Sequence, residues 1–329
     1  MQEAFLIIQT AFIGDAILAT ACVESLHKQL PEARIDVVVR KGNESFFEDH
    51  PKVNQVFVWD KQNKKKRGLF RLGLQIRKTR YDHVFNLQRF ASTGILTTFI
   101  RAKKKWGFDK NPFAFLFSGT VKHEIGNGKH EVERNNEVLA LAFPDIPVLN
   151  PKLYPSQEHY SSIKPHLSKE PFVTMSPASV WETKKWPKAQ FIKLINKTSP
   201  NFQIFLLGGP GDKEYCEEIR KESDHPNVEV LAGRLSLLAS TALMEYAQMN
   251  YVNDSAPLHL ASAMNAPVCA FFCSTDPNFG FTPLSEVKHI IVPAEEPPCH
   301  PCGLHGFHAC PETHFKCGKD SNWDLIPIF

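Results

Sequence analysis

Short apolar runs alternate with helical segments along this chain, and this alternation constrains the fold more than any other feature. In the first half, runs with the length and composition of strands occupy residues 4–8, 35–39, 53–59 and 84–87. The segments between them carry apolar residues at helical spacing. Strands that alternate with helices in this way predict an α/β fold with a parallel, doubly wound sheet.

The same alternation restarts in the second half of the chain. Strand-like runs recur at residues 172–175, 203–207 and 228–231, after a stretch from 143 to 171 that holds six prolines and little periodicity. A chain of 329 residues is long enough to bury two cores. We therefore predict two Rossmann-like domains facing a central cleft, with the N-terminal domain at 1–165 and the C-terminal domain at 166–329.

Composition narrows the class of protein. Hydrophobic residues make up 43% and charged residues 22% of the chain, as in soluble globular proteins, and a net charge of +3 is too small to identify a partner. No apolar run approaches the roughly 20 residues of a spanning helix, and residues 1–4 lack the basic character of a signal peptide. We therefore expect a cytoplasmic protein. Four scattered cysteines are expected to be buried thiols: Cys22, Cys216, Cys269 and Cys273.

A polar turn at residues 253–257 is the first candidate ligand site. It places cap-forming side chains before a predicted helix, so backbone N–H groups and the positive end of the helix dipole face one point. Such a point binds phosphate, although an ordinary turn with a good N-cap has the same sequence. Two more loops follow strands of the same predicted sheet. Residues 176–187 supply hydroxyls, including Ser179, and a lysine, and residues 208–214 supply glycines and acids. Together the three loops predict a pocket for a nucleoside diphosphate.

The first half carries a candidate carboxylate and a basic stretch. Asp15 follows the first predicted strand, at an edge that lines the cleft of a doubly wound sheet, although a helix-dipole partner would occupy the same position. Nine basic residues and no acidic residue lie between 61 and 81, and a second basic run occupies 101–105. Basic runs are commonly solvated faces. With the aromatic residues of 106–117, these two runs also suit an anionic, partly apolar partner such as lipid headgroups at a membrane surface. Nucleic acid competes with this interpretation, but no recognised nucleic-acid motif is present.

Four further cysteines cluster near the C-terminus. They are Cys299, Cys302, Cys310 and Cys317, with histidines interleaved. Four soft ligands on a short irregular segment can meet at one ion, so these residues are a candidate structural zinc site. Reduced thiols or a disulfide pair are the alternative.

Motifs spread along nearly the whole chain resemble glycosyltransferase family nine, the ADP-heptose:lipopolysaccharide heptosyltransferases. They are Gly14-Asp15-Ala16-Ile17-Leu18, Lys184-Lys185-Trp186-Pro187, Gly208-Gly209-Pro210, and 253–261 continuing to Thr275-Asp276-Pro277. Residues 81–88 and 130–135 also resemble the N-terminal domain of that family. The resemblance implies a GT-B fold, an N-terminal acceptor domain, a C-terminal sugar-nucleotide domain, and inverting transfer that requires no metal or other cofactor.

The resemblance also implies roles for individual residues. Asp15 matches the general base that acts on the acceptor hydroxyl, and Lys184 matches the lysine that binds the donor phosphates. The other implied donor contacts are Glu214 at the ribose, Leu235 near the adenine, and the pyrophosphate and sugar loop with Asp254, Ser255, Ala256, Pro257 and His259. Lys64, Lys65 and Arg67 are the candidate acceptor-binding residues of the basic stretch. The chain departs from the family at Ala256, where glycine is usual, and at Gln9, where a basic residue is common, so the identity of the donor sugar stays open.

The leading hypothesis is a transferase that moves heptose from ADP-heptose to the core of a lipopolysaccharide or other lipid acceptor. Its expected partners are an ADP-sugar donor, an anionic lipid-linked oligosaccharide acceptor and the cytoplasmic surface of the inner membrane, with no nucleic acid. Two alternatives remain. One is another GT-B sugar-nucleotide enzyme, either a transferase with a different donor or an epimerase, and the other is a non-enzymatic protein that binds polyanions.

Overall fold

The computed structural model describes residues 2–62, 65–167 and 170–329. The chain divides into two compact units, Met1–Tyr154 and Pro155–Phe329. The boundary proposed from sequence, between 165 and 166, lies inside the second unit. The reason is a helix at Gln157–Ile163 in the proline-rich stretch, which packs on the helix Leu237–Tyr246.

The first unit is a parallel sheet of six strands with helices between them. Its strands are β1 (Ala4–Gln9), β2 (Arg34–Arg40), β3 (Gln55–Trp59), β4 (Tyr81–Asn86), β5 (Ala102–Phe108) and β6 (Gly119–Val121). Its helices are α1 (Ile13–Gln29), α2 (Ser45–Glu48), α3 (Lys65–Ile76), α4 (Ala91–Phe99) and α5 (Glu131–Ala140). The strand order is β3-β2-β1-β4-β5-β6, and every pairing is parallel.

The second unit repeats this plan. Its strands are β7 (Phe172–Ser176), β8 (Gln203–Leu206), β9 (Val228–Val230), β10 (Met249–Asn253), β11 (Val268–Phe271) and β12 (Lys288–Ile291). Its helices are α6 (Gln157–Ile163), α7 (Lys188–Lys197), α8 (Lys213–Glu222), α9 (Leu237–Tyr246), α10 (Ala256–Ala263) and α11 (Lys316–Lys319). The order β12-β11-β10-β7-β8-β9 is again all parallel.

Both units have the strand order of the Rossmann fold. Counted from its own first strand, each sheet reads 3-2-1-4-5-6, so the order reverses between β1 and β4 in the first unit and between β7 and β10 in the second. The prediction of two doubly wound Rossmann-like units, as in the GT-B fold, is confirmed. Within the described ranges, no helix is both long and apolar enough to cross a membrane.

The core of each unit explains why its strands were recognisable from sequence. Leu6, Ile7 and Ile8 in β1 are fully buried without alternation, because helices cover both faces of a parallel sheet. In the second unit Trp186 stacks on Phe271, with ring centroids 3.9 Å apart. This stacking anchors the end of the loop that leaves β7.

The basic run at 101–105 lies largely in a strand and not on a free surface loop. β5 pairs with both β4 and β6, and these pairings outweigh the low strand propensity of lysine. Lys103 pairs with Asp82 at 2.6 Å, and Lys105 donates to the carbonyl of Thr98 at 2.7 Å. Among the aromatic residues of 106–117, Phe115 is 79% exposed, whereas Phe108 is buried.

Candidate active site

A lysine and an aspartate meet at the point where the strand order of the second unit reverses. Lys184 ends the short 3-10 turn Glu182–Lys184 after β7, and Asp254 follows β10 directly. The Nζ atom of Lys184 lies 2.6 Å from Oδ2 of Asp254, and the two side chains are only 14% and 8% exposed. Doubly wound sheets bind their ligands at this edge, outside the carboxyl ends of the strands.

Buried hydrogen bonds fix this pair in place. Asn253, the last residue of β10, accepts from the backbone N–H of Trp186 at 2.8 Å and donates to the carbonyl of Pro177 at 2.9 Å. These two bonds hold both ends of the loop after β7 against β10. Oδ2 of Asp254 also accepts from the hydroxyl of Thr275 at 2.7 Å. The carboxylate therefore has a hydrogen-bond donor besides Lys184.

The first turn of α10 begins beside the pair. Ser255 is the N-cap residue, with φ −157° and ψ 179°, and Pro257 lies in the first turn. In the described part of the chain, no side chain caps this helix. Pro257 has no backbone N–H, and that of Leu258 donates to the carbonyl of Ser255 at 3.1 Å. The start of the helix therefore offers the N–H groups of Ser255 and Ala256, together with the positive end of the helix dipole, at the edge where Lys184 lies. His259 is buried on the same helix, with its ring 6.5 Å from that of Phe281.

The other predicted donor residues lie at the same edge of the sheet. Ser179 is half-buried in the loop after β7, Glu214 is exposed in the first turn of α8, and Leu235 is half-buried between β9 and α9. Each of them follows a different strand at its carboxyl end. The structure thus brings Lys184 and Asp254 into contact and places the other three around them along one edge.

A cysteine-rich segment, residues 299–317, packs on the loop that carries Lys184. The backbone N–H of Phe307 donates to Oγ1 of Thr183 at 2.8 Å, and the N–H of Thr183 donates to the carbonyl of Phe307 at 3.1 Å. The hydroxyl of Ser274 donates to the same Oγ1 at 3.0 Å. Gly306 has φ +74°, and a Cβ atom there would come within 2.9 Å of Oγ1 of Thr183 and 3.2 Å of Cγ of Lys184. The sequence singled out the loop that contains Thr183 for its hydroxyls, but it did not predict that Thr183 contacts the cysteine-rich segment. It also gave no role to Gly306, although a glycine in an irregular segment can indicate a close approach of the backbone.

The four cysteines of this segment influence one another. The pKa of the Cys317 thiol is raised to about 12, chiefly by burial and to a smaller extent by the neighbouring Cys302, Cys310 and Cys299. The Sγ of Cys299 lies 3.8 Å from Nε2 of His314. Among the described residues, however, no three His, Cys, Asp or Glu side chains are arranged to hold one metal ion. The zinc site stays a prediction from the spacing of the cysteines.

In the first unit, Asp15 shares its surroundings with a buried carboxyl. Asp15 is half-buried in the first turn of α1. Glu131 begins α5 and pairs with Arg134 at 2.8 Å, with both side chains nearly inaccessible. The pKa of Glu131 is raised to about 7, chiefly by burial; Arg134 opposes this rise, and the negative charge of Asp15 contributes to it. Sequence reasoning assigned no role to Glu131, because a glutamate in the first turn of a helix is usually a simple dipole partner.

The loop between β1 and α1 is held by contacts from elsewhere in the first unit. The amide of Asn43 donates to the carbonyl of Ala11 at 3.2 Å, and the ammonium of Lys61 donates to the carbonyl of Thr10. The side chains of Gln9 and Gln88 hydrogen-bond where the strand order reverses. These contacts position the turn that precedes Asp15.

The three candidate acceptor-binding residues belong to the segment around the start of α3. Lys64 lies outside the described residues. Lys65 is the first residue of α3, and Arg67 is exposed two residues later. Their role in acceptor binding stays a prediction.

The two units define an α/β protein with paired Rossmann-like sheets, and in the second unit a lysine and a helix N-terminus lie at the strand-order reversal. The family model for glycosyltransferase family 9 (heptosyltransferase) matches residues 69–304. The chain belongs to this family and is therefore a glycosyltransferase.

Individual relatives are similar to this chain in sequence or in fold over most of their length. Lipopolysaccharide heptosyltransferase 3 of Escherichia coli is 27% identical over 278 residues, which are 80% of this chain and 82% of that protein. The crystal structure of a family 9 glycosyl transferase from Veillonella parvula superposes with a TM-score of 0.81 at 20% identity, covering 88% of this chain and 87% of that one. The E. coli ADP-heptose lps heptosyltransferase II gives 0.76 at 21% identity, covering 96% and 97%.

Proposed function

We propose that this glycosyltransferase moves heptose from ADP-heptose to a core sugar of lipopolysaccharide, with inversion at the anomeric carbon and without a catalytic metal. One observation carries the proposal: Lys184 and the first turn of α10 lie together at the strand-order reversal of the second unit. This arrangement suits a diphosphate. The names of the relatives support the choice of sugar and acceptor.

Lys184 and the N–H groups at the start of α10 would hold the diphosphate of the donor. Donor binding would draw the ammonium of Lys184 from Asp254 to a phosphate oxygen, while Thr275 keeps its hydrogen bond to the carboxylate. As the bond from the sugar to the phosphate breaks, negative charge grows on the departing ADP. A fixed cation and oriented amides stabilise that charge, so no metal ion is needed.

Asp15 would act as the general base. A carboxylate is suited to take the proton from the acceptor hydroxyl as its oxygen attacks the anomeric carbon. In a single displacement the nucleophile enters opposite the leaving diphosphate, which inverts the configuration at that carbon. Glu131 and Arg134 would set the electrostatic environment of this base, since the charge of Asp15 contributes to the raised pKa of Glu131.

The acceptor would be anionic and linked to a lipid, and the enzyme would work as a peripheral protein on the cytoplasmic face of the inner membrane. The basic residues between 61 and 81, with no acidic residue among them, support this proposal. Positive charge near a membrane surface attracts anionic headgroups. We propose no nucleic-acid partner.

The test is a panel of ADP-, GDP- and UDP-sugars added to the purified chain, followed by transfer to a water-soluble core oligosaccharide without acyl chains. ADP-sugars should raise the unfolding temperature, because a ligand of the folded state stabilises it, by about 2.7 kcal/mol at 100 times its Kd. Mass spectrometry should then show one heptose added to the acceptor. As a control for the effect of removing a lysine far from the proposed donor site, Lys221→Ala, which changes an exposed residue of α8, should bind ADP-sugars and transfer heptose like the unchanged protein.

Two results would contradict this function. Release of nucleotide or an altered sugar in the absence of acceptor would favour an epimerase. Binding of polyanions without binding of any sugar nucleotide would favour a non-enzymatic role.

A further inference from the structure

A mostly apolar cleft of about 440 Å³ lies between α3, α4 and the end of β3 in the first unit. Trp59 lies at its β3 side, Leu69 and Phe70 line it from α3, and Ile95 and Phe99 line it from α4. Ser92 is the polar residue of its lining. The volume falls within the range of small-ligand pockets, but the lining offers almost nothing to a sugar or a nucleotide.

Large apolar side chains are exposed at this cleft. Phe70 is 59% exposed and Ile95 48% exposed, and Leu74, one turn after Phe70, is 46% exposed. The helices touch at Gly73, where a Cβ atom would come within 2.9 Å of the ring of Phe99. The cleft is therefore closed on that side. Exposed apolar side chains that are grouped around one cleft commonly indicate a site that binds a partner or a ligand.

Positive charge surrounds the cleft. The ammonium of Lys61 lies 4.8 Å from the ring centroid of Trp59, and the guanidinium of Arg77 lies 4.7 Å from that of Phe99. The Nε of Arg77 is buried and has no hydrogen-bond partner among the described residues. Arg67 and Arg71 are exposed on α3 itself, in a stretch from 61 to 81 that contains no acidic residue. An occupant of this cleft must accordingly be apolar in the cleft and anionic at its rim.

We propose that this cleft receives a fatty acyl chain of an anionic membrane lipid, while the exposed arginines of α3 contact the headgroup phosphates. A basic helix that also exposes leucine and phenylalanine has the composition of helices that lie in the membrane interface. Charge complementarity selects anionic over neutral lipids, since each basic residue near an anionic surface adds to the attraction. The inference extends the lipid-linked acceptor of the proposed function to a site for the lipid itself, but it is measured without turnover.

The first experiment is co-sedimentation of the full chain with phosphatidylcholine vesicles, with and without phosphatidylglycerol. The protein should bind the vesicles that contain phosphatidylglycerol. Phe70→Ser and Arg71→Glu should each weaken that binding by about tenfold, because one removes a contact with the acyl chain and the other reverses a charge at the rim. Matched controls in the second unit, the exposed Val287→Ser and Lys221→Glu, should bind like the unchanged protein.

The second experiment detects insertion of the acyl chain directly. Lipids with brominated acyl chains should quench the fluorescence of Trp59, and Trp59→Phe should abolish that part of the quenching. Failure to bind phosphatidylglycerol vesicles would overturn the proposal, as would quenching that Trp59→Phe leaves unchanged. Binding that responds to Arg71→Glu and not to Phe70→Ser would show surface attraction alone and would also overturn it. Binding of an acidic peptide in place of vesicles would assign the cleft to a protein partner.

Transfer to the water-soluble acceptor separates this inference from the proposed function. Phe70→Ser should leave that transfer unchanged, because an acceptor without acyl chains does not use the cleft. Loss of vesicle binding with intact transfer supports the cleft as a lipid site. If the unchanged protein binds vesicles but fails to transfer heptose, the proposed function is wrong and the lipid site stands.

Discussion

Removal of the Lys184 charge should cost the protein both stability and donor affinity, and a second substitution should restore only the stability. Lys184→Met leaves the carboxylate of Asp254 in a site where its side chain is 8% exposed, without its 2.6 Å ion pair. Breaking a buried pair from one side typically costs 3–5 kcal/mol. Because Thr275 still donates to Asp254 at 2.7 Å and the pair is not fully sealed, we expect a loss of about 2–3 kcal/mol.

The double variant Lys184→Met with Asp254→Asn removes the stranded charge. Its free energy of unfolding should return to within about 1 kcal/mol of the unchanged protein, since an amide accepts from Thr275 without an unpaired charge. Affinity for ADP should remain lowered by roughly 10–100-fold in both variants, because a charge-assisted hydrogen bond to phosphate contributes about 1.5–3 kcal/mol. The double variant therefore distinguishes the effect of Lys184 on stability, which it restores, from the effect of Lys184 on ADP affinity, which it does not restore.

The measurements are urea unfolding followed by tryptophan fluorescence, and calorimetric titration with ADP. Lys185→Met is the matched control, because Lys185 pairs with the exposed Glu182 and a surface pair contributes less than about 1 kcal/mol. A double variant no more stable than Lys184→Met would refute the idea that a stranded charge causes the loss. ADP affinity unchanged by Lys184→Met would remove the lysine from the donor site.

Four further predictions concern the two units. Asp15→Asn should lower the rate of transfer by roughly 100-fold or more while ADP affinity changes little, and near-normal turnover would exclude Asp15 as the base. Burial raises the pKa of Glu131 from 4.5 to about 7, so the folded chain holds a proton that the unfolded chain releases. The free energy of unfolding should therefore fall as the pH rises from about 4.5 to 7, and Glu131→Gln should reduce this slope; an identical slope in the variant would contradict the assignment. Transfer should need no added Mg²⁺ or Mn²⁺, because a lysine and helix amides stabilise the leaving group; a rate that rises when either ion is added would disprove this. Metal analysis should find about one zinc per chain if the cysteine spacing marks a site, whereas reduced thiols without metal would rule it out.

Most strands of the two sheets, though not β5, β6 or β12, were predictable because burial on both faces leaves a simple apolar signature. β1 and β7 are runs of this kind. β5 was missed because its sequence is rich in lysine, and only its two neighbouring strands determine its conformation. The helix α6 was missed because prolines surround it, whereas its packing against α9 comes from a distant part of the chain.

The candidate site was predictable to the level of loops, but not of contacts. Lys184 and Asp254 each follow an apolar strand, so their position at one edge follows from a parallel sheet. Their ion pair depends on side-chain geometry that no local pattern encodes. The burial of Glu131 was equally hidden, since it results from the packing of α5 against α1.

The loop after β7 that carries Lys184 can form its hydrogen bonds between Thr183 and Phe307 only after residue 307 has been synthesised. The two residues are 124 positions apart, so the turn that carries Lys184 leaves the ribosome long before the segment that holds it. At about 5–20 residues per second, that delay is roughly 6–25 s. The nascent chain therefore passes through a stage in which β7 and β8 have been synthesised, but the turn at Lys184 lacks its hydrogen bonds to Asn253 and Phe307. We expect the turn at Lys184 to reach its final geometry only after Phe307 has left the ribosome.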